Sequence, residues 1–253
     1  INGMFEPYDG KNRAGKIEVG LIYPNTYHVG MSNLGFQTVY QTFNSEEDVV
    51  CERAFLPDPE DLREYRESRT PLLSLESQTP LQAFDVVAFS ISFENDFPNI
   101  LTLLDLARIP FESHQRKERT PLVMAGGVAV FLNPEPVADF FDLLVLGEGE
   151  ETIRDLLEVY RQGLSAGKRG RDDLLKRFGG IEGVYVPKGY QTVYEDRGKV
   201  KEVRNEPGFP PEVRRRWIRD LDRYPARSMI STPDTEFKEM VLLEVNRGCP
   251  RGC

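Results

Sequence analysis

The sequence is poor in cysteine, has no long apolar run and carries no excess of positive charge. Three cysteines among 253 residues are too few for a disulfide framework, which favours a reducing cytoplasm. The longest apolar stretches, such as residues 140–146, are far too short to span a bilayer, and no secretory signal opens the chain. Asp and Glu total 41 against 32 for Lys and Arg, and the net charge of -9 argues against indiscriminate binding to nucleic acid or anionic membranes.

Strand-like apolar runs alternate with helical patterns from residue 16 to residue 162. The predicted strands are residues 16–23, 48–55, 85–92, 121–125 and 141–146, and the predicted helices are residues 31–43, 59–67, 97–108, 134–140 and 150–161. This alternation predicts an α/β fold with a doubly wound, parallel, five-stranded sheet of flavodoxin-like type. Ligands of such sheets bind at the carboxyl ends of the strands.

Three further regions complete the predicted domain organisation. Residues 1–15 are expected to be an irregular lead-in, residues 163–237 a small α+β linker subdomain, and residues 238–253 the start of another domain. Within the linker we expect short strands at residues 183–185, 191–194 and 199–203, with a turn at 196–198. Residues 212–224 are predicted to form an amphipathic connector helix, whose three consecutive arginines are interpreted as an exposed face in preference to a nucleic-acid contact.

Two of the three cysteines form a closely spaced pair near residue 253. Cys249 and Cys253 stand in C-x-x-x-C spacing within a Gly/Pro-rich turn, directly after a strand-like run at residues 240–245. Thiolates are the usual ligands of iron-sulfur clusters, and a short turn can wrap several of them around one core. The alternative is that both are ordinary thiols or a disulfide. The isolated Cys51 is interpreted as a small apolar filler of its strand.

The chain resembles the N-terminal region of radical S-adenosylmethionine (SAM) proteins. The features that carry the resemblance are Gly126-Gly127, the GEGEE stretch at residues 147–151 and the cysteine pair, in this order. More narrowly, residues 24–35 are similar to the first loop of an uncharacterised bacterial subgroup. The resemblance implies that Cys249 and Cys253 ligate a 4Fe-4S cluster, with a third cysteine three positions beyond Cys253. It also implies reductive cleavage of SAM, a reductant protein such as flavodoxin or ferredoxin, and a catalytic barrel whose first strand is residues 240–245.

The resemblance further implies a cobalamin-binding-like domain, with cobalamin as a possible cofactor. In cobalamin-dependent relatives the corrinoid lies across the carboxyl ends of the strands and contacts three loops. The matching cofactor-binding positions here, together with an acidic residue after the fifth strand, are Asn25, Thr26, His28, Gly30, Ser90, Ser92, Gly126, Gly127 and Glu148. Small residues let backbone or a hydroxyl approach a bulky ligand. Two alternatives stay open: the Gly-Gly pair is a tight strand-to-helix turn, and the acidic residues at 150 and 151 simply open a helix.

His28 departs from the motif that supplies a cobalt ligand in some cobalamin proteins, D-x-H-x-x-G. Thr26 replaces the Asp, and Gly30 follows the His after two residues instead of three. His28 is therefore a cobalt ligand, a loop residue facing a ligand or an interface, or a structural hydrogen-bonded histidine. His114 lies in a polar stretch and is expected to be solvated.

A rival interpretation is a non-catalytic, flavodoxin-like ligand-binding or protein-interaction module with incidental cysteines. A receiver domain needs acidic residues at the ends of the first and third strands, but residues 24–25 and 90–92 contain none. A dinucleotide fold needs G-x-G-x-x-G after the first strand, whereas Gly30 and Gly35 are five apart. These absences disfavour both forms of the rival, and the substrate and reaction stay open.

Overall fold

The centre of the molecule is a six-stranded sheet. The computed structural model describes residues 13–165, 170–196, 198–238 and 240–248. The strand order is β2-β1-β3-β4-β5-β6. The bounds are β1 Ile17–Tyr23, β2 Val49–Phe55, β3 Val86–Ser90, β4 Leu122–Gly126, β5 Leu143–Val145 and β6 Val184–Tyr185. The first five strands are parallel and β6 is antiparallel to β5, which confirms the predicted α/β class and adds a sixth strand.

The strand order reverses beside β1. In the register, Val19 of β1 pairs with Cys51 of β2 on one side and with Val86 of β3 on the other. After β1, the chain therefore forms β2 on one side of that strand. It then crosses to the opposite side of β1 and forms β3, β4 and β5 there. The carboxyl ends of β1 and β3 flank this switch point, where open α/β sheets commonly bind ligands.

Helices cover both faces of the sheet. Their bounds are α1 Tyr27–Met31, α2 Leu34–Asn44, α3 Pro59–Ser68, α4 Phe97–Leu106, α5 Val128–Leu132, α6 Gly149–Ser165 and α7 Arg171–Gly179. One core cluster joins the sheet to α2, α6 and α7, and a second joins its other face to α4 and α5. Ile100, Leu103 and Leu104 of α4 are fully buried, as their helical spacing predicts.

The predicted helix at residues 31–43 is two helices. The break falls at Asn33, whose side-chain oxygen accepts a hydrogen bond of 2.9 Å from the backbone nitrogen of Phe36 and so caps α2. Polar side chains such as Asn compete with continuous helix by forming this local bond. The five-residue helix α5, directly after the glycine pair, was not predicted.

Buried ion pairs at two places join peripheral segments to the sheet. Arg53 of β2 donates from Nε to Glu76 at 2.7 Å, and both side chains are at most 4% exposed. Asp142, just before β5, accepts from Arg116 at 3.2 Å and from Arg171 of α7 at 2.6 Å. Breaking such a pair leaves an uncompensated buried charge, so these contacts fix the positions of the segments that carry them.

The predicted connector helix at residues 212–224 is wrong. Arg216 instead forms a parallel bridge with Gly147 beyond β5, donating from its backbone nitrogen to Leu146 O at 2.9 Å. The Arg215 guanidinium stacks between the rings of Phe131 and Trp217, at 4.0 and 3.7 Å from their centroids. Backbone bonds to the sheet edge and this cation-π stack favour an extended segment over a helix.

The remaining predicted strands have mixed outcomes. The antiparallel pair β7 Tyr190–Tyr194 and β8 Val200–Asn205 confirms two of the short strands, whereas the third is β6 and belongs to the main sheet. Among the described residues 240–248 there is no regular strand, so the predicted strand at residues 240–245 is not confirmed and stays a prediction. Leu243 makes one isolated antiparallel bridge with Arg227. None of the described helices is long and apolar enough to cross a membrane.

Candidate functional site

The parallel strands bring the loops that carry the predicted site residues to one edge of the sheet. Asn25 follows β1, Ser92 follows β3, Gly127 follows β4 and Glu148 follows β5. Because these loops all leave the carboxyl ends of parallel strands, they line a common rim. The rim is called the carboxyl rim below. It contains two separate sets of polar contacts, one at the switch point and one after β5.

At the switch point, amide side chains connect the loop after β1 to the loop after β3. Asn25 donates from Nδ2 to Asp96 Oδ1 at 2.7 Å, and its own Oδ1 accepts from the backbone nitrogen of Thr26 at 2.8 Å. Asn33 donates from Nδ2 to Ser92 Oγ at 3.0 Å. Both predicted contacts Asn25 and Ser92 are thus used within the protein, where they hold the two loops together.

Two buried polar atoms at the switch point lack a partner among the described residues. Tyr23 is fully buried, and its hydroxyl lies near Ser92 and Asn33 without a hydrogen bond of good geometry. Asp96 is 3% exposed and its Oδ2 is also unpaired. Burial raises the pKa of the Asp96 carboxyl, which the bond from Asn25 only partly offsets. Sequence inspection did not single out either residue, since a lone Tyr and a lone Asp carry no motif.

His28 lies on the outer side of the rim. Its side chain is half exposed, and Nε2 is 3.5 Å from Glu236 Oε2. Glu236 also donates its backbone nitrogen to Ser32 Oγ at 2.9 Å. The structure therefore places His28 beside the segment around residue 236, an arrangement closest to the interface-facing option among the three considered.

The glycines of the predicted site are packed against protein atoms. A Cβ at Gly30 would lie 2.6 Å from the ring of Phe55, and one at Gly127 would lie 2.4 Å from the carbonyl oxygen of Ile91. Gly127 also has a φ of +110°, which favours glycine. Gly126 pairs in register with Ser90, beside β5. The fold itself requires glycine at positions 30 and 127, whether or not a ligand approaches them.

The acidic residues after β5 contact arginines from distant parts of the chain. Glu148 lies 3.5 Å and Glu150 lies 2.8 Å from the guanidinium of Arg247. Glu151 pairs with Arg216 at 2.9 Å. Glu150 and Glu151 stand in the first turn of α6, as the helix-opening alternative predicts. The arginine partners were missed because they are more than 60 residues away in sequence.

Of the three cysteines, the structure describes Cys51. Cys51 is fully buried in β2, which confirms its role as an apolar filler. Cys249 and Cys253 fall outside the described residues, so their ligation stays a prediction. Within the described ranges, no group of three or more His, Cys, Asp or Glu side chains is arranged to hold a metal ion.

Comparison with known families identifies the class of protein. Residues 35–187 of the 253 match the family described as radical SAM proteins, N-terminal. The chain belongs to this family, which confirms the resemblance to the N-terminal region of radical SAM proteins. Full-length members of the radical SAM family are expected to use SAM and a 4Fe-4S cluster.

A distant relative aligns with most of this chain. An uncharacterised protein of Methanocaldococcus jannaschii is 26% identical over 241 residues. The alignment covers 93% of this chain and 39% of the relative, so the chain spans about two fifths of that protein's length. No solved structure matches the chain significantly.

Proposed function

We propose that the chain is the N-terminal part of a radical SAM enzyme whose cluster-binding turn includes Cys249 and Cys253. The observation that carries the proposal is the family match at residues 35–187 followed downstream by a C-x-x-x-C pair. Two cysteine thiolates and a third, three positions further on, would hold a 4Fe-4S cluster. Such a cluster, when bound, supplies the electron that cleaves SAM to a 5'-deoxyadenosyl radical. A flavodoxin or ferredoxin in a reducing cytoplasm would deliver that electron.

The segment before the cysteine turn supports this proposal by its exposure pattern. Val241, Leu243 and Val245 alternate along an extended stretch and are all exposed, Val245 to 89%. The intervening Leu242 and Glu244 are partly buried. Such alternating exposure of apolar side chains is expected of a strand whose pairing strands belong to another domain. We propose that residues 240–245 are the first strand of the catalytic barrel.

We propose that the sheet domain recognises substrate or caps the catalytic domain. Four apolar side chains near the carboxyl rim are exposed: Phe93 after β3, Val128 and Leu132 of α5 after β4, and Trp217, which is next to Arg216. Arg216 pairs with Gly147 beyond β5. Exposed apolar side chains at a rim suit contact with another domain or an apolar substrate. The rival, a non-catalytic interaction module, would use the same surface but would not need the cysteines.

Cobalamin fits the described rim poorly. The predicted approach positions Gly30 and Gly127 are already contacted by protein atoms, and His28 faces Glu236. Asn25 and Ser92 are occupied by bonds to Asp96 and Asn33. No cobalt chemistry is therefore included in the proposed function.

The proposal is tested by SAM cleavage in the whole protein. After anaerobic reconstitution with iron and sulfide, dithionite and SAM should yield 5'-deoxyadenosine, and Cys249→Ala with Cys253→Ala should abolish its formation. The parent gene should encode cysteine three positions after Cys253. Another residue there, or undiminished cleavage by the double variant, would contradict the assignment.

A further inference from the structure

Arg247 is surrounded by three carboxylates from two parts of the chain. Its guanidinium donates to both oxygens of Glu244, at 2.9 and 2.8 Å. It lies 2.8 Å from Glu150 Oε1 and 3.5 Å from Glu148 Oε1. An arginine guanidinium is charged at every ordinary pH, so this is a contact between one cation and three carboxylates.

The contact of Arg247 with Glu148 and Glu150 is more buried than an ordinary surface ion pair. The side chains of Glu148 and Glu150 are only 12% and 11% exposed, and that of Arg247 is 24% exposed. Arg247 is the cation within 4.0 Å of both glutamates among the described residues. Without it, both poorly solvated carboxylates would lack a cation within 4.0 Å among the described residues, although Glu148 would keep the hydrogen bond from the backbone nitrogen of Ile218. Removing the arginine therefore costs more than an exposed pair would.

The same contact joins the carboxyl rim to the segment that leads into the cysteine turn. Glu148 and Glu150 directly follow β5, whereas Arg247 stands two residues before Cys249. The segment has a second attachment, because Glu244 donates its backbone nitrogen to Ala226 O at 3.0 Å and Ser228 donates to Leu242 O at 2.9 Å. Within the described part of the chain, residues 240–248 are thus bonded to residues 226–228, and Arg247 links them to the rim.

We propose that Arg247, held by Glu148 and Glu150, is a positioning residue that fixes residues 240–248, the segment that precedes the cysteine pair, against the carboxyl rim. In this proposal, Glu148 and Glu150 of the GEGEE stretch supply the carboxylates that hold Arg247. Its value for catalysis rests on the proposed function above, but the contact itself requires neither iron nor SAM. Arginine suits the task because its planar fork binds Glu244 of its own segment bidentately and still presents Nη1 to Glu148 and Nη2 to Glu150.

Hydrogen exchange measured by mass spectrometry on the 253-residue chain tests the contact. In Arg247→Gln and in Glu150→Gln, peptide amides at residues 240–248 should exchange about fivefold faster or more, while those of β1 and β3 keep their protection. The matched control is Arg214→Gln, which removes an arginine whose side chain is 77% exposed and paired only with Glu212 at 3.7 Å. This control should leave exchange at residues 240–248 unchanged.

A double-mutant cycle separates a specific contact from general loosening. If the two groups act together, Arg247→Gln combined with Glu150→Gln should accelerate exchange no more than Arg247→Gln alone. The proposal would be overturned if the accelerations of exchange in the two single variants multiplied in the double variant. An unaltered exchange rate at residues 240–248 in either single variant would also overturn it. The result is independent of SAM cleavage, so failure of this contact and failure of the radical SAM assignment would be distinguishable. The lysine variant Arg247→Lys should restore protection only in part, because it keeps the charge and loses the bidentate geometry.

Discussion

Replacing Asp96 by Asn should stabilise the chain, and increasingly so as the pH rises. Asp96 is 3% exposed, and its Oδ2 has no partner among the described residues. Burial raises the pKa of its carboxyl in the folded state above the value in the unfolded chain. Stability from this group is therefore fully present below the unfolded pKa and is lost as the pH rises through the folded pKa. Asparagine cannot ionise, and its oxygen still accepts the bond from Asn25.

The magnitude follows from the charge on the buried carboxylate, because leaving a charged group unsatisfied costs more than the cost of about 1–3 kcal/mol for a neutral group such as the asparagine amide. At pH 8 we expect Asp96→Asn to raise the free energy of unfolding by about 1–2 kcal/mol, or the Tm by about 2–8 °C. Near pH 4 the difference from the parent should be small. The assay is urea unfolding at a series of pH values, with Asp105→Asn on the exposed side of α4 as the control. A gain that does not change with pH, or a loss of stability at pH 8, would refute the reasoning.

Three further predictions follow from the packing around the sheet. Glu76→Gln should lower the free energy of unfolding by about 3–5 kcal/mol, because it leaves the Arg53 guanidinium buried without its carboxylate; an unfolding curve like that of the parent would contradict this. Gly127→Ala should cost about 2–4 kcal/mol in the same assay, whereas Gly170→Ala, where a Cβ meets nothing within 4 Å, should stay within about 0.5 kcal/mol. Hydroxocobalamin should keep its visible spectrum when titrated with the chain, and a saturable shift would show that the rim can open for a corrinoid.

The sheet was predictable because its signals are local. β1 to β4 are buried on both faces, so they read as nearly continuous apolar runs. Gly126-Gly127 and the GEGEE stretch could be recognised as strand ends for the same reason, because the residues that favour a turn are adjacent in the sequence. α5 escaped notice because five residues are too few to show a helical period.

The errors arose where distant segments meet. Residues 212–224 look amphipathic in isolation, but the Leu146 and Gly147 backbone offers Arg216 an edge to pair with. Likewise, the sequence did not reveal that Glu148, which stays a predicted cofactor contact, lies 3.5 Å from Arg247, a residue nearly a hundred positions away. No spacing rule predicts such ion pairs, because they depend on how the chain folds back on itself. Asp96 and Tyr23 illustrate the same point, as only burial makes them unusual.

The iron content of the whole protein tests the central claim most directly. Purified anaerobically and reconstituted, the parent should bind about four iron atoms per chain and show the brown chromophore of a 4Fe-4S cluster. Cys249→Ala combined with Cys253→Ala should lose both. The described core clusters are built from the sheet and its flanking helices together with Phe209, so we expect the double variant to unfold at the same temperature as the 253-residue parent. Normal iron content in the folded double variant would contradict the account.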